Sequence, residues 1–140
     1  MIVIGSDHGG YELKEFLKTH LAEKGIDYID IGCEGESCDY PDYAKEAAKR
    51  IMIGECEKGI LCCGTGIGIS IAANKCPGIR AALVSEPVSA CLAKEHNNAN
   101  ILCLGGRVTG NALAAACVDA WLEAEFQGGR HAVRVNKIEG

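Results

Sequence analysis

The sequence predicts an α/β domain, a five-stranded parallel sheet covered by helices, and two observations lead there. Short runs rich in β-branched residues alternate with segments whose apolar residues recur at helical spacing. Several of the short runs are apolar almost throughout, as strands buried on both faces must be. At 140 residues the chain can bury a core of its own, and residues 1–140 read as a single domain.

The elements follow in order. Ile2 to Ser6 is the first strand, and Leu13, Phe16, Leu17 and Leu21 then form the core stripe of a helix. Tyr28 to Ile31 is a second strand. The segment Gly32 to Pro41, with little apolar content, is the longest irregular connection, and a loop of that length is expected near the functional site. Gly59 to Cys63 is the third strand. Pro77 and Gly78 mark a turn before a fourth, Ile79 to Val84, and Ser85-Glu86-Pro87 reads as a helix start. Asn100 to Leu104 is the last strand. Leu113, Cys117, Ala120, Trp121 and Ala124 form another core stripe, and a tail from Gln127 to Gly140 carries a glycine pair followed by basic residues.

Composition removes several function classes. A net charge of -5 and few aromatic residues argue against a broad nucleic-acid or membrane surface, so any anion must be held by a local site. No apolar run approaches the roughly 20 residues needed to span a bilayer, and no basic leader precedes the first strand, so the expected address is the cytoplasm. Nine cysteines, an odd number set mostly in apolar runs, read as reduced thiols. Without a Cys-x-x-Cys pair, and with Cys62 and Cys63 pointing to opposite faces of a strand, no metal site is expected.

The chemistry concentrates at Cys63-Gly64-Thr65-Gly66-Ile67-Gly68-Ile69-Ser70, which joins a strand to a helix. Alternate glycines let the backbone turn sharply and present N–H groups to a phosphate or a developing oxyanion, beside the positive end of a helix dipole. The spacing fits neither a Walker loop nor a dinucleotide fingerprint, and a tight turn with packing glycines is the plain alternative. Cys63, at the carboxyl end of its strand, is placed where a thiolate is favoured; most of the other cysteines are core residues. Asp7 and His8 end the first strand at the same edge of the sheet, Asp7 as a site residue or a helix cap, His8 as a site residue or a solvated side chain. His96 and Asn97 end a helix, where His96 could merely complement the dipole. Arg130 and Arg134, four apart, share a face on a helix and can grip one phosphate or stand free in solvent.

Taken together, Gly5-Ser6-Asp7-His8-Gly9-Gly10, Asp39-Tyr40-Pro41, the run from Cys63 to Lys75, Glu95-His96-Asn97 and Gly128-Gly129-Arg130-His131 resemble ribose-5-phosphate isomerase type B over nearly the whole chain. That resemblance implies a three-layer α/β/α, Rossmann-like domain acting as a homodimer or tetramer, with shared sites at the subunit interface. It also implies aldose–ketose isomerisation through an enediolate, with no metal or organic cofactor. On the same basis Cys63 is the base that removes the C2 proton, Gly64, Thr65, Gly66, Ile67 and Gly68 hold the enediolate, and Thr65 also assists catalysis at the substrate oxygen. His96, helped by Asp7 and Tyr40, opens the sugar ring, and Asn97 orients the hydroxyls. His8, Arg107, Arg130 and Arg134 hold the phosphate, the tail arginines reaching a neighbouring subunit. Some family members carry a Glu as base five residues after Gly64; Ile69 stands there, which leaves the cysteine as the base.

Ribose 5-phosphate is the expected substrate. Six-carbon phosphates such as allose or galactose 6-phosphate, and rare free sugars, are alternatives within the reaction class. A non-catalytic phosphosugar-binding module is the alternative outside it, and Cys63→Ala discriminates the two.

Overall fold

A computed structural model describes residues 1–140. The chain runs β1 (Ile2–Ser6), a 3-10 turn (His8–Gly10), α1 (Tyr11–Glu23), β2 (Tyr28–Asp30), α2 (Tyr40–Met52), β3 (Lys58–Cys63), α3 (Ile67–Asn74), β4 (Ala81–Leu83), α4 (Pro87–Asn97), β5 (Ile101–Gly105), α5 (Asn111–Glu123) and α6 (Arg130–Glu139). All strand pairs are parallel, in the order β2-β1-β3-β5-β4.

Side chains alternate across the sheet and build two cores. On one face Ile2, Ile4, Ile60, Cys62, Leu102 and Leu104 meet α1, α4 and α5; on the other Val3, Leu61, Cys63, Ile101 and Cys103 meet α2 and α3. The three-layer α/β/α arrangement is therefore as expected, with Cys62 and Cys63 on opposite faces. Trp121 is fully buried, and its indole N–H donates to the Ala99 carbonyl at 3.1 Å. Removing so large a ring would cost about 3–5 kcal/mol.

Three details differ from the sequence reading. The fourth strand is short, because β4 is an edge strand paired only with β5. Its flanks are tied instead by Asn side chains, with Asn100 Oδ1 accepting from Arg80 N and Asn74 Oδ1 from Ala81 N. Leu113, expected in the core stripe of α5, is 43% exposed, and Ala124 lies past the helix end. The stripe is carried by Ala114, Cys117, Val118 and Trp121.

The irregular segment after β2 is pinned from below. Lys14, buried in α1, donates to Asp30 Oδ1 at 2.9 Å and to the Cys33 carbonyl at 2.6 Å. Burial pushes the Asp30 carboxyl up, but the hydrogen bonds from Lys18 and Lys14 outweigh it and hold the group below its ordinary range.

The chain winds from β1 outward to β2 and from β3 outward the other way, so the switch point lies between β1 and β3. A crevice opens at the carboxyl ends of the strands there, where ligands bind in open α/β sheets.

Candidate active site

Cys63 ends β3 at that crevice and is 4% exposed. The Gly66 N–H donates to its Sγ at 3.1 Å. The contact depends on Gly66, which sits at φ +80°, where a Cβ would stand 2.5 Å from the Leu83 side chain and 2.9 Å from the Leu104 carbonyl carbon. Only glycine fits there. The buried thiols of Cys62 and Cys103 are pushed up by desolvation and stay protonated.

The neighbouring strand ends close around the loop. Asp7 N donates to the Cys62 carbonyl, Gly106 N to that of Cys63, and Arg107 N to that of Gly64. The Thr65 hydroxyl is exposed and accepts from the N–H of Ile67, the first residue of α3, at 3.1 Å. Tyr40, the first residue of α2, lies over Gly68 so closely that a Cβ there would meet its ring at 2.5 Å. Asp7 is a cap, its Oδ1 accepting from Gly10 N at 3.1 Å, and it is buried beside the loop. His8 is exposed and accepts the Cys38 N–H through Nδ1 at 3.3 Å. His8 and Arg107 line one cavity of about 330 Å³ with Gly9, Gly106 and Glu12, so two of the expected phosphate ligands converge.

Asp7, His8, Tyr40, Cys63, the loop from Gly64 to Gly68 and Arg107 thus gather at the carboxyl edge. His96, Asn97, Arg130 and Arg134 do not join them. α4 starts beyond β4 at the carboxyl edge and runs back, so His96 and Asn97 end at the amino edge, just before β5. The five residues of β5 alone separate the edges by roughly 16 Å, far beyond the reach of a proton transfer.

At that amino edge a second cluster forms. His96 stacks on His131, ring centroids 4.2 Å apart and planes 8° apart. α6 packs on α4, and Gln127 N donates to the Glu95 carbonyl. Arg80 holds the Asn97 and Asn98 carbonyls and pairs with Glu139 at 2.7 Å. Arg130 and Arg134 are exposed on α6 and form no ion pair within the chain. Burial, then the charges of His96, Arg130 and Arg134, holds His131 below its ordinary value. Sequence reasoning quoted His131 only within a motif. Its place one helical step after Arg130, beside a histidine at the end of a neighbouring helix, becomes visible once α6 docks on α4.

Comparison with known proteins agrees with this architecture. The family model described as Ribose/Galactose Isomerase matches residues 2–138. Ribose-5-phosphate isomerase B of Escherichia coli (strain K12) is 51% identical over 138 residues, 98% of this chain and 93% of the relative. The ribose-5-phosphate isomerase B structure from Clostridium thermocellum superposes with a TM-score of 0.97 at 56% identity, covering 99% of this chain and 94% of that one. The Mycoplasma genitalium enzyme, solved with bound ribulose 5-phosphate, superposes with a TM-score of 0.94 at 42% identity over 99% and 93%. With the matched residues running from β1 into α6, the chain belongs to the ribose/galactose isomerase family.

Proposed function

We propose that the chain interconverts ribose 5-phosphate and ribulose 5-phosphate, with Cys63 as the base. The observation that carries this reading is the Gly66 N–H aimed at Cys63 Sγ at 3.1 Å, at the crevice between β1 and β3. In the proposed route the Cys63 thiolate removes the C2 proton of the open-chain aldose. The electron pair moves into a C1–C2 enediolate, whose charge is met by the loop from Gly64 to Gly68 with Thr65 beside it. The Cys63 thiol returns the proton to C1, the O2 proton passes to O1, and the ketose results. The route calls on no cofactor.

The ring must first be opened and the phosphate anchored. His96, with Asn97 orienting the hydroxyls, would open the ring from a second copy of the chain, which would also lend Arg130 and Arg134 to the phosphate held by His8 and Arg107. Two features support a shared site. The required groups lie at opposite edges of one rigid sheet, and apolar side chains stand exposed around the loop: Ile67 at 52%, Ile71 at 57% and Val108 at 67%. A homodimer joining the carboxyl edge of one copy to the amino edge of the other completes two sites at once, as an isologous interface does. A tetramer would add a second interface without changing the site. No helix is long and apolar enough to cross a membrane, and the proposed setting is the cytoplasm, where the thiolate stays reduced.

The test is direct. Purified protein is incubated with ribose 5-phosphate, allose 6-phosphate and galactose 6-phosphate, and ketose formation is followed. Turnover should be fastest with the pentose and should fall about 100-fold or more in Cys63→Ala. Unchanged turnover in that variant would remove Cys63 from the chemistry, whereas no ketose from any of the three phosphates would favour a binding module.

A further inference from the structure

The loop between β2 and α2 contains a cluster that the proposed reaction does not use. The Sγ atoms of Cys33 and Cys38 and a carboxylate oxygen of Glu36 lie within 4.8 Å of one another. Both cysteines are free thiols. We propose that Cys33, Glu36 and Cys38 form a binding site for one thiophilic divalent cation of the zinc or cadmium class. Two sulfurs and one carboxylate oxygen, with a water completing a tetrahedron, are a ligand set such ions accept. In a tetrahedral site with metal–sulfur bonds of about 2.3 Å, the two sulfurs stand roughly 3.8 Å apart. The sulfur pair therefore has to close by no more than about 1 Å to reach bonding geometry.

The surroundings hold the ligands in place. The Cys33 carbonyl is fixed by the buried Lys14 ammonium at 2.6 Å, and its Sγ accepts the Gly35 N–H at 3.4 Å. Cys38 Sγ lies against the Tyr43 hydroxyl. A hydroxyl there can donate to a sulfur ligand, the outer support a metal-bound sulfur uses. Glu36 Oε2 accepts from Glu34 N at 3.0 Å and is already turned into the loop. On binding, the two thiols lose their protons to solvent, two metal–sulfur bonds form, and no electron is transferred. The expectation of no metal rested on the missing Cys-x-x-Cys; the loop brings together a pair spaced Cys-x-x-x-x-Cys, which spacing alone did not flag.

Occupation would be felt at the proposed phosphate cavity, because the Cys38 N–H is the group His8 Nδ1 accepts. That coupling rests on the role proposed for His8, whereas cation binding does not. The test therefore reads binding itself. Reduced protein is titrated with cadmium chloride, with thiolate-to-metal charge-transfer absorbance and proton release recorded together, and zinc chloride is then added as competitor. We expect a tightest site of one ion per chain that releases about two protons. Its affinity should fall about tenfold or more in Cys38→Ser and in Glu36→Gln, and stay unchanged in Cys91→Ser. Both Cys38 and Glu36 lie outside the buried core, so these variants should fold even if Cys33→Ser does not. Wild-type affinity in Cys38→Ser, or loss of the tight site in Cys63→Ser instead, would overturn the assignment.

Discussion

Gly66 does two things at one position. Its positive φ lets the chain turn out of β3 into α3, and the same turn points its N–H at Cys63. Gly66→Ala should therefore lose about 1–3 kcal/mol of stability from the strained backbone and the Leu104 contact. It should also lower kcat more than it raises KM, because the N–H is displaced from the sulfur whose charge it meets. Denaturant midpoints and steady-state kinetics on the same preparation check both halves, and a variant with wild-type kcat would show that the contact is incidental. Asp7 makes a different point. Helix cap and site residue were both open in the sequence, and the bond from Gly10 N shows that the side chain is a cap whatever else it does. Cys63 was legible because strand, glycine loop and helix start follow one another without a gap; the Cys33–Cys38 pair was not, because no pattern of spacing describes how an irregular loop folds back.

Among the elements, the docking of α6 on α4 is the one with a titratable seam. Burial first, then the neighbouring His96, Arg130 and Arg134, lowers His131 below its ordinary value. Between its lowered value and the unfolded value of about 6.5 the unfolded chain binds more protons than the folded one, so stability rises with pH through that window. The contribution is lost as pH falls through it. Urea midpoints should thus drop as pH falls below the unfolded value of about 6.5, and His131→Gln should flatten part of that slope; an unaltered slope would mean that the seam does not sense protons. The start of α4 was readable at Glu86-Pro87, where the Glu86 carboxylate caps the helix by accepting from Val88 N and Ser89 N. The place of β5 between β3 and β4 was not readable, because adjacency in a sheet is decided by packing of the crossover helices and leaves no local mark. Leu113 shows the limit of periodicity: it keeps helical spacing with Cys117 and Trp121, yet the buried face of α5 runs through its neighbour Ala114, with Cys117, Val118 and Trp121, and leaves Leu113 exposed.

For the whole molecule, the separation of His96 from Cys63 across the sheet makes complementation the decisive measurement. Cys63→Ala chains and His96→Asn chains, each inactive alone, are mixed in equal amounts and allowed to exchange subunits. If sites are shared, half of the dimers are mixed and each carries one intact site, so activity should recover to about a quarter of wild type. No recovery, with exchange verified by mass, would place both groups in one chain and contradict the edge geometry. The sheet that separates those groups also partitions the thiols. Cys62 and Cys63 are consecutive in the chain, yet one faces the core beneath α1 and α5 and the other the core beneath α2 and α3. A trivalent arsenical, which needs two sulfurs on the same side, finds none in this vicinal pair. What looks in the sequence like a chelating dithiol is, in the fold, two solitary sulfurs back to back, only one of which meets the crevice.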